Sequence, residues 1–154
     1  MKRWKRLPLV LAVSLVACAP LESKSNNIEG FALYQEGKLE EAIEKYQKAI
    51  ELDPKLATAY NNLCYALASQ EKFPEAIEQC QKAIELDPKL ALAYNNMGAA
   101  LTGQGRFQEA IVEYQKSLNH DPNQAIVQQN LEKTFQLLSY QLIQQQLIQQ
   151  QLSK

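Results

Sequence analysis

Hydrophobic and polar residues alternate along most of this chain at the spacing of amphipathic helices. Between residues 57 and 90 the apolar positions form two runs of helical period, one on each side of a polar turn. These positions are Tyr60, Leu63, Cys64 and Leu67 in the first run and Phe73, Ala76, Ile77, Cys80, Ala83 and Ile84 in the second. Asp87-Pro88 follows the second run, and proline disfavours helical geometry in the residue before it. The segment therefore predicts two antiparallel helices.

This helix pair is written about three times, at one fixed period. Asp-Pro dipeptides close the three units, at residues 53–54, 87–88 and 121–122. Residues 41–62 and 75–96 differ at only three of 22 positions. A fixed period of this length indicates stacked helical repeats rather than one globular core. The predicted units are about 23–56, 57–90 and 91–124.

The units resemble the tetratricopeptide repeat, whose pattern is an aromatic residue, Leu-Gly, alanine, a second aromatic residue and a late proline. The third unit has these features at Tyr94, Met97-Gly98, Ala110, Tyr114 and Pro122. The middle unit departs from the pattern at Cys64, where glycine is usual, and at Cys80, where an aromatic residue is usual. The first unit is degenerate, because Asn26 and Glu29 stand where its first helix should be apolar. The resemblance covers residues 26–122 and implies an all-α solenoid of three helix-turn-helix repeats.

The C-terminal part of the chain continues as a predicted helix. An apolar stripe over residues 123–142 is expected to cover the open end of the third repeat, as a capping helix does. The stripe consists of Val127, Leu131, Phe135, Leu138 and Leu142. Residues 143–154 form a glutamine-rich tail of low complexity. A protruding or fraying helix is one interpretation of this tail, and self-association or partner binding is the other.

The N-terminus has the layout of a secretory signal peptide, predicted over residues 1–17. Basic residues open it, and an apolar run from Leu7 to Ala17 precedes Cys18. Residues 15–18, Leu-Val-Ala-Cys, look like a bacterial lipobox, which implies cleavage before Cys18 and diacylglycerol on its thiol. Cleavage after Ala19 and retention as an uncleaved anchor are the alternatives. Residues 18–25 are then expected to form a short flexible tether.

The lipobox resemblance also implies a place in the cell. A lipid-anchored protein of the bacterial envelope is expected, with the membrane as one partner. In lipoproteins of two-membrane bacteria an aspartate after the cysteine resembles an inner-membrane retention signal, and this chain has Ala19 there. The outer membrane is therefore favoured where one exists.

Charge and composition exclude several classes of function. Removal of the four basic residues at positions 2, 3, 5 and 6 with the signal peptide would leave 12 basic and 17 acidic residues. An acidic protein without basic runs is a poor nucleic-acid binder. No catalytic triad, phosphate-binding glycine loop, paired-carboxylate motif or metal-ligand set stands out in the sequence, so neither an enzyme nor a cofactor is expected.

The repeat resemblance implies a concave groove that holds a peptide or helix of another protein. The first helices of the repeats carry a second stripe, offset from the core stripe, with amides beside aromatic and aliphatic residues. Its candidate binding residues are Phe31, Tyr34, Asn61, Tyr65, Leu92 and Asn95. Alternatively, Phe31 and Tyr65 pack between neighbouring helices. Chaperone-docking members of the family grip a carboxylate with basic residues at places that Leu92 and Asn96 occupy here, so that activity is not expected.

Cys64 and Cys80 lie about equally far from the turn near Glu71, so an antiparallel helix pair brings them close together. They could be mid-sized core residues or, in an oxidising compartment, a disulfide. Neither interpretation is excluded by the sequence.

The function expected from these features is that of a non-catalytic adaptor which is anchored to a membrane and binds a partner protein in its groove. Two alternatives remain open. One is an assembly factor for a pilus or an outer-membrane pore, and the other is a regulatory or targeting subunit of an envelope enzyme.

Overall fold

The computed structural model describes the backbone of residues 10–153 and the side chains from Ala19 onward. The basic start of the predicted signal peptide lies outside the described residues, and so does the side chain of Cys18. This part of the chain contains seven helices and no strand. The helices are α1 (Val10–Gln35), α2 (Leu39–Leu52), α3 (Ala57–Ser69), α4 (Phe73–Leu86), α5 (Ala91–Gly103), α6 (Phe107–His120) and α7 (Ala125–Leu152). The predicted all-α class is confirmed.

Consecutive helices pack in pairs, α1 with α2, α3 with α4 and α5 with α6, and α7 packs on α6. The first helices also contact one another in order, α1 with α3, α3 with α5 and α5 with α7. Among the described residues, the second helices α2, α4 and α6 make no such contacts with each other. The array is therefore narrower on the side of the first helices. This is the architecture of three helix pairs and a final helix that the repeat period predicts.

The turns inside the three helix pairs share a left-handed residue. Gly37 has a φ of 77° and Gly105 a φ of 76°, and at the equivalent place in the middle pair Glu71 has a φ of 59°. Glycine adopts this conformation without a Cβ penalty, whereas glutamate does so at a cost. The middle turn therefore keeps the geometry of the other two despite its sequence.

The core runs along the array between the two layers of helices. Its larger cluster joins the second and third pairs to α7 and contains Cys64, Ala76, Ile77, Cys80, Ala100, Leu101, Ala110, Tyr114 and Val127. A smaller cluster of Ala42, Tyr46, Leu63 and Ala66 joins the first pair to the second. Leu67 packs against both clusters, so burial is continuous from repeat to repeat.

The flexible tether predicted for residues 18–25 is instead part of α1. Ser23 is fully buried, and its hydroxyl donates to the carbonyl oxygen of Pro20 over 3.1 Å. The helix extends through residues 18–25 because the turn that contains Ser23 is buried, although the composition of this segment is polar. The sequence expectation of a coil was wrong here.

The capping helix and the glutamine-rich tail form one continuous helix, α7. Val127 and Thr134 are buried in its first half, and Leu131 packs against the core. Phe135 and Leu142, which were predicted to share that buried stripe, are 48% and 47% exposed. The buried face of α7 differs from the predicted one because α7 packs in the same register as the first helices of the repeats. Val127 holds the place in α7 that Ala93 holds in α5.

Candidate partner-binding groove

A groove of about 470 Å³ lies on the face formed by the first helices. Side chains from α1, α3, α5 and α7 line it, namely Phe31, Asn61, Asn62, Tyr65, Leu92, Asn95, Asn96, Ala99, Ile126 and Asn130. No residue of this lining is charged. Each helix contributes because the repeat period returns the same helical face to the same side of the array.

Six asparagines form a continuous chain of side-chain hydrogen bonds across this face, and we call it the asparagine ladder. Its members are Asn27, Asn61, Asn62, Asn95, Asn96 and Asn130. Bonds between neighbouring helices join Asn130 to Asn95 over 3.2 Å, Asn96 to Asn61 over 2.9 Å and Asn62 to Asn27 over 3.0 Å. Within a helix, Asn95 donates to Asn96 over 3.3 Å and Asn61 to Asn62 over 3.4 Å. In every bond an Nδ2 atom donates to an Oδ1 atom, and the donors all point the same way along the ladder, from Asn130 towards Asn27.

The ladder is partly enclosed. Asn61 and Asn96 are 6% and 8% exposed, so their amides are buried polar groups. A buried amide needs a hydrogen-bond partner, since desolvation without one is costly. The bond between these two residues satisfies that need and fixes the orientation of both side chains at the floor of the groove.

Apolar side chains flank the ladder at both ends of the groove. Phe31 and Tyr65 are 48% and 46% exposed at one end, and Leu92 and Ile126 are 52% and 58% exposed at the other. Half-exposed side chains of this size next to buried amides leave apolar area that a bound segment can cover. The groove thus has one aromatic end and one aliphatic end.

Tyr34 lies at the edge of the groove. Its ring centroid is 4.9 Å from that of Tyr65, and its hydroxyl is 2.8 Å from the Ser69 hydroxyl. The neighbouring Tyr34 hydroxyl, together with burial, raises the pKa of Tyr65. Tyr34 therefore holds the Tyr65 ring against α1.

Five of the six candidate residues line this one groove, namely Phe31, Asn61, Tyr65, Leu92 and Asn95. The sixth, Tyr34, supports Tyr65. Asn62, Ile126 and Asn130 also line the groove and are not among the residues predicted from the sequence. The repeat period contains the signal that was missed, because Asn62, Asn96 and Asn130 hold the same place in three successive units.

Cys64 and Cys80 face each other between α3 and α4. Their sulfur atoms are 2.04 Å apart and their Cα atoms 5.3 Å apart, as in a disulfide, and both residues are fully buried. In the first and third repeats the same places hold a glycine and a tyrosine, Gly30 with Tyr46 and Gly98 with Tyr114. The oxidation state of the two cysteines in the cell stays a prediction.

No helix within residues 10–153 combines the length and the apolar character needed to cross a membrane. In the same range no group of three or more histidine, cysteine, aspartate or glutamate side chains is placed to hold a metal ion.

Two family models match the chain. One, described as a TPR repeat, matches residues 30–70, and the other, described as a tetratricopeptide repeat, matches residues 55–123. Together they cover residues 30–123, from the C-terminal end of α1 through α6. The chain matches no curated protein.

Solved structures with the same fold include three complexes. The first TPR of Spaghetti (RPAP3), bound to the HSP90 peptide SRMEEVD, is 28% identical, and the match covers 78% of this chain and 95% of that one with a TM-score of 0.75. The second TPR domain of human RPAP3, in complex with the HSP70 peptide SGPTIEEVD, is also 28% identical, with coverage of 77% and 97% and a TM-score of 0.69. The TPR2B domain of yeast Sti1, in a complex with pHsp70, is 27% identical, with coverage of 75% and 98% and a TM-score of 0.71.

The repeat period, the paired helices, the shared groove and both family models agree that residues 30–123 of this chain contain tetratricopeptide repeats.

Proposed function

We propose that this protein is a non-catalytic adaptor that holds an uncharged segment of another protein in its groove. The observation that carries the proposal is the asparagine ladder, flanked by four half-exposed apolar side chains. A floor of amides and two apolar ends suit a segment that offers polar atoms along its centre and apolar side chains at its ends.

The chemistry of the ladder supports this choice of ligand. An asparagine amide carries two N–H groups and a carbonyl oxygen with two lone pairs. In Asn61 and Asn95 one N–H donates along the ladder, and the carbonyl accepts one bond from a neighbouring helix. The second N–H and the second lone pair can serve a ligand. Main-chain amides or glutamine and asparagine side chains present the complementary atoms.

The peptides in the solved complexes differ from the ligand proposed here. SRMEEVD and SGPTIEEVD carry acidic residues at their ends. The groove lining of this chain contains no lysine or arginine, and Leu92 and Asn96 stand where a basic pair would grip a carboxylate. An acidic terminus would lose water in this groove without gaining a counter-charge. We therefore expect no binding of such peptides.

Anchoring by lipid on Cys18 completes the proposal and places the adaptor on a bacterial envelope membrane, on the outer membrane where one exists. Pro20 supports cleavage before Cys18, because it would then lie in the first turn of α1, where no intrahelical N–H bond is required. The array would begin directly at the anchor. Intact-mass measurement of protein from the native membrane fraction tests this part: a chain that begins at Cys18 and carries acyl groups is expected, and a chain that begins unmodified at Met1 would refute it.

Site-specific crosslinking in cells tests the groove. A photoreactive phenylalanine analogue replaces Tyr65 or Leu92 in the groove and, as a matched control, Val112, which is 46% exposed on α6 and does not line the groove. The same protein is expected to be captured from both groove positions and not from Val112. Equal capture from all three positions would overturn the proposal. The identity of the captured protein also separates a general adaptor from an assembly factor or an enzyme subunit.

A further inference from the structure

The C-terminal half of α7 carries an apolar face that is largely exposed. Tyr140, Ile143 and Leu147 are 64%, 52% and 47% exposed. Their spacing of three and four positions puts them on one side of the helix. An amphipathic helix that docks in a groove presents its anchors at this spacing. We call these three residues the tail face.

The tail is also part of the longest uncharged stretch in the chain. Residues 134–153 contain no lysine, arginine, aspartate or glutamate, and glutamine fills most of the positions between the apolar ones. The groove lining is equally free of charge and offers asparagine amides. A charged helix would bury unpaired charges there, whereas glutamine amides can donate to and accept from the ladder.

We infer that the tail face of one copy docks in the groove of a second copy. The inference rests on the groove of the proposed function and names an occupant for it. The apolar anchors cover the exposed side chains of Phe31 and Tyr65 at one end and of Leu92 and Ile126 at the other.

The contact has to form between copies. Ile126 and Asn130 at the start of α7 line the groove, and Ile143 lies further along the same helix. At a rise of about 1.5 Å per residue, Ile143 is about 25 Å from Ile126 along the helix axis. A continuous helix cannot turn back into the groove that its own first half lines. The tail of one molecule is therefore available only to another.

Such a contact uses two different surfaces and is heterologous, so a pair of bound copies still offers one free groove and one free tail. Assembly should grow with concentration beyond a dimer unless the chain closes into a ring. A tail-to-tail contact, by contrast, would be satisfied in a dimer or small bundle.

Sedimentation velocity on the chain from Ala19 onward, which keeps both core clusters, tests the inference. The apparent mass of the parent chain is expected to rise with concentration. Leu92→Asp in the groove and Ile143→Asp on the tail face should each hold the protein at the mass of one chain. Val112→Asp, at an exposed apolar site outside the groove, should assemble like the parent. Tyr65→Asp is a second groove variant, and circular dichroism checks that every variant keeps its helices.

Mixing the two single-surface variants gives the sharpest test. Leu92→Asp retains an intact tail, and Ile143→Asp retains an intact groove. Together they are expected to form a complex of two chains that does not grow further. A Leu92→Asp variant that still self-associates, or a mixture that stays monomeric, would overturn the inference, and so would a parent chain that is monomeric at every concentration.

The outcome is separable from that of the proposed function. Crosslinking from Tyr65 that captures another protein, with no assembly in solution, would refute only self-docking. Assembly without any captured partner would leave self-docking standing and refute the adaptor. Self-docking combined with partner capture would mean that the two ligands compete for the groove.

Discussion

Gly98 and Tyr114 are packed so closely that a Cβ atom at position 98 would lie 2.8 Å from Cε1 of the tyrosine ring. Gly30 stands in the same relation to Tyr46, at 2.7 Å. In each of these two pairs, the first helix thus approaches the second through a glycine that packs against a tyrosine ring. The middle pair has neither residue, and the two cysteines at these places close the same space with a covalent bond.

Reduction of this bond is expected to lower the free energy of unfolding by about 3 kcal/mol, the loop-closure value for a separation of this size. The two cysteines are 16 residues apart in sequence. Urea denaturation of the chain from Ala19 onward, with and without dithiothreitol, measures the difference. An identical midpoint under both conditions would show that the thiols are reduced or that the bond adds nothing.

A double variant, Cys64→Gly with Cys80→Tyr, is the matched control. It restores the residue pair of the other two repeats and removes both thiols. Its denaturation midpoint should not respond to dithiothreitol, since no bond remains to be reduced.

Most of the fold could be predicted because one physical pattern is repeated. The apolar positions of the middle unit recur at a fixed step along the chain, and each set dictates the same helix pair with the same buried face. The groove residues Asn61 and Asn95 could be located in the same way. The ladder itself was not predicted, because Asn62, Asn96 and Asn130 were not recognised as one repeated set of groove residues.

Two predictions were wrong because they rested on a local sequence pattern and not on the position of each residue in the repeat. The stripe through Phe135 and Leu142 fits an ideal helix, but contacts with α5 and α6 decide which side of α7 is buried. The polar composition of residues 19–25 suggested a coil, yet burial of Ser23 extends α1 through them. Tertiary packing overrode local composition in both places.

Glu71→Gly is expected to stabilise the protein. Glu71 has a φ of 59°, and a left-handed conformation costs a residue with a side chain about 1–2 kcal/mol. The greater chain entropy of glycine in the unfolded state offsets part of that gain, by about 0.5–1 kcal/mol. The free energy of unfolding, measured by urea denaturation, should therefore rise by about 0.5–1 kcal/mol.

The reverse substitution, Gly105→Glu, is the control for that change. Gly105 has a φ of 76°, and a Cβ atom there meets no other atom within 4 Å, so the penalty is conformational and not steric. Gly105→Glu should therefore lower the free energy of unfolding by a similar amount. A loss of stability in Glu71→Gly would show that the glutamate side chain contributes more than its backbone conformation costs.

Asn96→Asp should destabilise the array by about 1–3 kcal/mol, the usual cost of leaving a buried polar group without its partner. The carboxylate cannot donate to Oδ1 of Asn61, which now accepts a bond over 2.9 Å. Asn130→Asp, at the half-buried end of the ladder, should cost less than about 1 kcal/mol because water can reach it. Equal losses at the two positions in urea denaturation would contradict a ladder that depends on burial.

Alkaline pH should destabilise the protein through Tyr46, which is 1% exposed. Burial, with a smaller effect from Tyr34, raises the pKa of Tyr46 to about 12. An unfolded tyrosine titrates near pH 10. Below about pH 10 both states keep the proton and stability is unaffected. As the pH rises from about 10 to about 12, the unfolded state loses its proton first and is favoured, by about 1.4 kcal/mol per pH unit.

Tyr46→Phe removes this proton and isolates its effect. The free energies of unfolding of the parent and the variant are compared at pH 8 and pH 11. The phenylalanine protein should lose less stability than the parent between these two values, by about 1 kcal/mol, because its ring cannot ionise in either state. An equal loss in both proteins would show that the Tyr46 hydroxyl is reached by solvent in the folded state.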